Sequence, residues 1–295
     1  MSIQEKTAEV INIQEHKMVE DFLTEEQIKR ITVKKKIRIH FLQLAIAVGL
    51  IGSWQFLTDK KIIDRFFFGQ PSGVWHQLVY WLQNGTDVGS IWLNAWVTLE
   101  EASLGFLSGV LLGIIFGVFL GRNHLAAEVF APYIKVSNSI PRVVLGSIFI
   151  VWLGLGTISK VALAFVLVFF PVFFNAFQGT READKKLISN ARLLGASKRQ
   201  VTRHVVMPSA LSWITASMHV SFGFALIGAI VGEFLGSQHG MGLLIATAQG
   251  TFNPNGVYAA MVIIAIMALS AEWLITKMED RLLNWRPTQV SGTEI

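Results

Sequence analysis

Few side chains in this sequence have both the type and the spacing that chemistry requires. There is no cysteine among the 295 residues, which removes disulfides, thiolate metal sites and a thiol nucleophile. No GxxxxGK[ST] loop is present to cradle a phosphate, and no HExxH pair offers a metal helix. The stretch SMHVSFG, residues 217–223, sets His219 close to Ser221. Nothing in the spacing supplies a third group to orient the imidazole, and a polar pair on a packed helix accounts for it. No catalytic and no metal-ligating residue is therefore expected. What remains is Glu233 in VGEFLGSQHG, Ser139 and Arg142 in NSIPRVV, and a compact basic segment, NARLLGASKRQVTRHVVMPSAL, at 190–211. Glu233 and Arg142 are the ionisable groups expected at membrane depth, where such groups are costly and line solute paths. For Glu233 there is a plainer alternative, a carboxylate near the outer surface accepting N–H bonds from a Gly240–Gly242 turn.

The elements that position these residues follow from composition. The chain is 52% hydrophobic and only 15% charged, with a mean hydropathy of +0.50. Its apolar residues come in runs near the roughly 20 needed to cross a bilayer. Six spans can be placed, at about 39–58, 95–121, 130–154, 158–178, 208–235 and 256–276, with Pro132 and Pro141 interrupting the third. The expected fold is an all-α membrane protein of six transmembrane helices, with an N-terminal interfacial helix and a cytoplasmic helical loop. Residues 1–37 form a cytoplasmic tail, 38–278 the membrane domain and 279–295 a second tail. In the tail, EEQIKRITVKKKIRIHFL suits either an amphipathic helix at the membrane surface or a plain solvated basic anchor.

Charge sets the orientation. The 179–207 loop carries Arg181, Lys185, Lys186, Arg192, Lys198, Arg199 and Arg203, whereas the fifth and sixth spans are joined by a segment with no Lys or Arg. The connection between the third and fourth spans has only Lys160. By the positive-inside bias both termini and the basic loop are cytoplasmic. The formal charge of +5 sits at span ends and in this loop, so it argues for a lipid bilayer and against nucleic acid.

Two glycine patterns stand out. Gly105, Gly109, Gly113, Gly117 and Gly121 recur every four residues along the second span. Each costs about 1 kcal/mol in helix propensity relative to alanine. A face this regular marks close backbone packing, within the subunit or at a subunit interface. The segment GSQHGMGLLIATAQGTF, 236–252, holds an apolar stretch too short to span. It is expected as a partly inserted element, buried in protein or lining a wet cavity.

The basic loop is ordered. Leu187, Ala191 and Leu194 fall on one helical stripe. Gly195 follows where a left-handed residue ends a helix. Ser197 and Gln200 have capping-box spacing, Val201 and Val205 continue an apolar stripe, and Pro208 suits the first turn of the fifth span. Such a stripe packs either on its own membrane domain or on another protein.

These residues resemble the EAA motif of binding-protein-dependent ABC importer permeases: EAA, three residues, Gly, nine residues, Ile, any residue, Leu-Pro. With Gly195 on the motif glycine, Ser189, Asn190 and Ala191 take the EAA positions. Val205, Met207 and Pro208 take the Ile, Leu and Pro positions. Ser189 and Asn190 depart from the pattern. The resemblance extends from about residue 67 to the end. SIPRVVLGSIFIVWLGLGTISKVALAFVLVFFPVFFNAF, GAIVGEFLGSQHGMGLLIATAQGTF and MEDRLLNWRP are similar to the nitrate, sulfonate and taurine branch.

The resemblance implies a permease subunit in a bacterial inner membrane, paired with a second copy as a homodimer. It implies cytoplasmic ATP-binding subunits that hold ATP and Mg, with no cofactor on this chain, and an extracytoplasmic solute-binding protein. Residues 184–206 would be the coupling helices, with Ala196, Ser197 and Arg199 at the bend and Pro208 behind it. Sulfonate, taurine or nitrate-like solutes come first, and a vitamin-precursor pyrimidine or aromatic acid second. Outside-facing basic residues are few, so the sequence itself does not demand an anion. The competing class is a self-contained secondary transporter or channel, against which stands the lack of an internal repeat.

Overall fold

In a bilayer an apolar run has the helix as its stable option, because a helix satisfies its own backbone. The computed structural model describes residues 25–282. Helices joined by short turns make up the chain, with no strand among the described residues. Residues 1–24 and 283–295, to which most of both predicted tails belong, lie outside the described residues.

The chain divides into two units, residues 1–65 and 66–295. The first unit holds α1, Glu25–Asp59, a single 35-residue helix. The expected surface helix and the first span are thus one element. EEQIKRITVKKKIRIHFL contains no glycine or proline to break the helix, so the charged segment simply continues the span. Phe41 and Leu50 are each 67% exposed within the unit, a surface that suits lipid. At its end the Thr58 hydroxyl donates back to the Trp54 carbonyl at 2.7 Å, and Arg65 pairs with Asp59 at 2.8 Å.

The second unit runs α2 (Pro71–Asn84), α3 (Ile91–Arg122), α4 (His124–Ser139), a 3-10 turn (Arg142–Val144), α5 (Leu145–Leu153) and α6 (Thr157–Arg181). It continues with α7 (Lys185–Leu193), α8 (Lys198–Leu235), α9 (Met241–Gly250) and α10 (Pro254–Leu282). Helices α1, α3, α6, α8 and α10 are long and apolar enough to cross a membrane. The helices α4 and α5, joined through the 3-10 turn and bent by 75°, bring the number to six where the pair is counted as one broken span, the third in chain order.

Boundaries in the second unit also differ from the sequence expectation. The third span begins at His124, where Asn123 caps α4 by accepting from the Ala126 N–H at 3.1 Å. Pro132 lies inside α4 without ending it, and the break falls at Pro141 alone. The Pro141 ring crowds the residue before it out of the helical region, and Ile140 is extended at φ −78°, ψ 128°. The last helix also runs past the expected end of the sixth span, to Leu282.

The core is the contact of α6 with α3 and α8. All five glycines of the four-residue repeat face α6 within the same subunit. A methyl group added at Gly117 would lie 2.6 Å from the Phe173 carbonyl oxygen, and one at Gly109 would lie 2.8 Å from Val168 Cβ. On the other side of α6, Gly228 meets the Ala164 backbone and Gly179 meets Trp213. Around these contacts Ala102, Phe106, Val168, Val172, Phe222, Ala225 and Ile275 form a buried cluster. Small residues let the backbones approach closely, and dispersion replaces the hydrophobic drive that lipid does not supply.

Candidate docking site

The basic loop is a braced helical bend. Asp184 caps α7 by accepting from the Lys186 N–H at 2.7 Å. The helix ends in a Schellman pair: Gly195 N–H donates to the Arg192 carbonyl and Ala196 N–H to the Ala191 carbonyl, both at 3.0 Å. Gly195 stands at φ +84°, a left-handed conformation that strains any side chain. Two residues later the capping box closes. Gln200 N–H donates to Ser197 Oγ at 3.3 Å, and Ser197 N–H to Gln200 Oε1 at 2.8 Å.

The loop has its own small core and a separate apolar tip. Ala183, Val201 and Val206 are buried, with Ile188, Ala191 and Ala196 packed against them. This divides the predicted stripe. Ala191 turns inward, while Leu187 is 55% exposed and Leu194 is 88% exposed, beside Leu193 at 85%. Val205 is only half-buried, and Val206 takes its expected place. The cause is a π turn at Thr202–Val206, whose extra residue shifts the register by one. Pro208 therefore does not begin a helix. It sits inside the continuous α8, just past the π turn, where its ring would otherwise crowd the His204 carbonyl. Arg192, Arg199 and Arg203 are exposed, with no acidic partner among the described residues. A capped and internally packed bend thus presents two exposed leucines, in a loop that also carries exposed arginines.

A second cluster fixes the other end of α8. Glu233 is fully buried. It accepts from the Thr98 hydroxyl at 2.6 Å and from the Gly242 N–H at 2.6 Å. Thr98 in turn accepts from the Met241 N–H, and Asn94 from the Gly240 N–H, each at 2.8 Å. These bonds tie the start of α9 to α3 and α8. Gly240, at φ +121°, leaves room for the Glu233 carboxylate. Met241, Leu244 and Ala248 are buried, so the short apolar segment, helix α9, packs its inner face on the protein, while Gln249 and Gly250 at its end are exposed.

Sequence reasoning placed only Arg142 and Glu233 as intramembrane ions, and the structure adds others. Glu101 on α3 is 2% exposed and lies within electrostatic reach of Glu233 and Lys160. Lys160 is in the first turn of α6, fully buried, and donates to the Leu155 and Gly156 carbonyls. For Glu101 the signal was available, since it falls inside the second span drawn from the sequence, whereas Lys160 was counted with the connection before the fourth. His219 has two acid partners 53 and 60 residues away, Glu272 at Nδ1 and Glu279 at Nε2, both at 2.6 Å. Glu272 and Glu279, seven apart, share a face of α10. Ser221 Oγ is buried without a hydrogen-bond partner, so it does not bond the imidazole.

Ser139 and Arg142 flank the break between α4 and α5. Ser139 Oγ donates to the Lys135 carbonyl at 3.0 Å. The Arg142 guanidinium donates to Asn138 and lies 4.6 Å over the Phe170 ring.

Comparison with known proteins fits this architecture. Residues 109–284 match the family model described as the binding-protein-dependent transport system inner membrane component. A protein of Bacillus subtilis (strain 168), named as an aliphatic sulfonates transport permease, SsuC, is 31% identical over 82% of this chain and 87% of its own length. A formylaminopyrimidine transport permease, ThiX, of Halalkalibacterium halodurans is 31% identical over 65% of this chain and 77% of its own. Among solved structures, an inward-facing MetNI methionine ABC transporter chain shares the fold. Its TM-score is 0.55 at 20% identity, covering 66% of this chain and 96% of that one. The family match covers more than half of the chain and includes the braced bend. The chain belongs to the inner-membrane component family of binding-protein-dependent transport systems and is the transmembrane permease subunit of an ABC importer.

Proposed function

We propose that the bend at Gly195 seats in a groove of a separate ATP-hydrolysing subunit, which holds ATP and Mg, and that this chain itself binds neither. In this reading the basic loop and both termini are cytoplasmic, as the Lys and Arg distribution favours. Two copies pair around the passage, and a soluble receptor on the outer side delivers the solute. Leu193, Leu194 and Gly195 are the docking tip. Ala191, Ala196, Ser197 and the π turn brace it, Leu187 extends its apolar face, and Arg199 adds charge at its rim. The passage runs along the broken α4–α5 span, past Ser139 and Arg142. Glu233 is left out of it, since its carboxylate is enclosed by Thr98 and Gly242.

The observation that carries this reading is the exposure of Leu193 and Leu194 on a bend that is otherwise capped and internally packed. An apolar tip on a rigid stalk is costly in water unless a partner covers it. The solute is a small sulfonate or nitrate-like anion, supported by the similarity to the permease named for aliphatic sulfonates. A vitamin-precursor pyrimidine is the second reading, favoured by the relative named for formylaminopyrimidine.

The test is co-purification with the ATPase subunit and uptake in proteoliposomes. Gly195→Asp places a side chain at positive φ and a negative charge at the tip. It is expected to lose ATPase binding and uptake while remaining in the membrane at normal level. Normal uptake by this variant removes the docking role.

A further inference from the structure

We propose that the charged end of α1 is a binding site for the head groups of anionic phospholipids, with Lys34, Lys35, Lys36 and Arg38 meeting the phosphates. The inference needs only that α1 spans a bilayer, and it is independent of the docking reading.

Length and charge set the depth of this site. Helix α1 has 35 residues, about 52 Å at a rise of about 1.5 Å each, whereas the hydrocarbon core is about 30 Å thick. Between Arg38 and Asp59 no Lys, Arg, Asp or Glu occurs, and that stretch of about 20 residues matches the core by itself. Lys34 to Arg38 therefore lie within about 8 Å of the hydrocarbon edge, the depth of the head-group layer. The helix does not break there, and His40 Nδ1 donates back to the Lys36 carbonyl at 2.7 Å.

The four cations are free and widely spread. All are exposed, and none has an acidic partner among the described residues. At about 100° per residue, Lys34 and Arg38 share one side of the helix, and Lys35 and Lys36 carry the charge on to about 200°. A protein partner covers one face of a helix. A collar that looks outward over half the circumference is met instead by the lipids around a span. Val33, Ile37 and Phe41 are exposed among and just below the cations. They give acyl chains an apolar contact, while the long Lys and Arg stems reach outward to the phosphates. The opposite end of α1 differs. Arg65 pairs with Asp59 at 2.8 Å, and Lys60 lies 5.7 Å from the centre of the Phe56 ring, so two of its cations are engaged within the chain. A basic cluster placed directly beside a span attracts anionic lipid, and only one end of α1 carries a free one.

The probes are dioleoylphosphatidylglycerol and dioleoylphosphatidylcholine, which share their acyl chains and differ in net charge. Native mass spectrometry of the full-length permease in a neutral detergent reads the affinity for each. Phosphatidylglycerol is expected to bind about fivefold tighter or more, and raising ammonium acetate to about 0.5 M should remove most of that preference. Replacing all four cations (Lys34→Gln, Lys35→Gln, Lys36→Gln and Arg38→Gln) should bring the ratio to about one. Lys34→Arg, Lys35→Arg and Lys36→Arg together should keep it. A milder comparison covers a fourfold variant that fails to insert. Lys35→Gln with Lys36→Gln should lower the ratio about twofold or more. Lys60→Gln with Lys61→Gln, the same charge removed at the other end, should leave it unchanged. Equal binding of the two lipids by the wild type overturns the proposal, as does a preference that survives loss of the four cations or falls equally with either pair. Excess inorganic phosphate should not displace the lipid; displacement makes a soluble anion the ligand and overturns the proposal too. Release of the ATPase subunits by Lys35→Gln with Lys36→Gln, at an unchanged lipid ratio, assigns the cations to a protein partner and has the same consequence. The docking reading is tested separately, by uptake through the Gly195 variant.

Discussion

Glu233 shows how much one side chain can organise when it is enclosed. Its two oxygens take one hydroxyl and one backbone N–H, and through Thr98 they also secure Met241. Glu233→Ala removes an acceptor from buried donors and opens a void where α9 meets α8. The expected destabilisation is about 1–3 kcal/mol for the unmet bonds, more once the cavity is added. Glu233→Gln fills the volume and can still accept from Gly242, but its amide nitrogen cannot accept from Thr98. Thermal unfolding in detergent, followed by fluorescence-detected gel filtration, should rank wild type above Gln and Gln above Ala. A midpoint for the Ala variant equal to wild type removes the clamp. The Gly240–Gly242 turn beside Glu233 was legible because glycines punctuate a chain visibly. The partners Asn94 and Thr98 were not, since they lie about 140 residues away and nothing local in WLNAWVTLEE marks them.

At the scale of elements, the glycine stripe and the loop caps are the parts most legible in sequence, because both are local patterns with a steric cause. A four-residue glycine repeat leaves few choices, and the partner it found is α6. The π turn was not legible. It is a one-residue insertion whose signature is the later Pro208, and it moved burial from Val205 to Val206. The bend in the third span was half legible, since two prolines were visible and only Pro141 breaks the helix. A comparison of glycines tests the packing argument. Gly117→Leu drives a side chain into the Phe173 carbonyl and Ala176. Overpacking of this kind costs about 1–3 kcal/mol, and the backbone contact here places it at the upper end. Gly223→Ala, on α8 with nothing within 4 Å, is expected to be neutral or to gain up to about 1 kcal/mol of helix propensity. Midpoints from the same gel-filtration assay separate the two. Similar losses for both would mean that α3 and α6 are not held by close approach.

For the whole molecule, the continuity of α8 matters most. The bend at Gly195 leads into a 38-residue helix that passes the π turn and Pro208, carries His219 against α10, and ends at Leu235, just past Glu233. No flexible linker lies between the tip and the buried cluster at the far end of the helix. If the bend docks as proposed, a displacement at Gly195 would be carried along α8, with α6 and α10 packed beside it. Coupling through a rigid element can be cut without touching either end. Inserting two glycines after Val206 rotates and loosens the junction, yet leaves the Schellman turn, the capping box and the Glu233 clamp intact. The expected result is a permease that retains its ATPase in co-purification, hydrolyses ATP, and loses most solute uptake in proteoliposomes. If uptake per ATP stayed at the wild-type value, α8 would not be the transmitting element. Motion would then have to pass through the α7 side of the loop and the broken α4–α5 span. If instead the insertion released the ATPase, the junction would be shown to shape the docking tip itself. The small core of Ala183, Val201 and Val206, which spans that junction, would then be the first place to repair it.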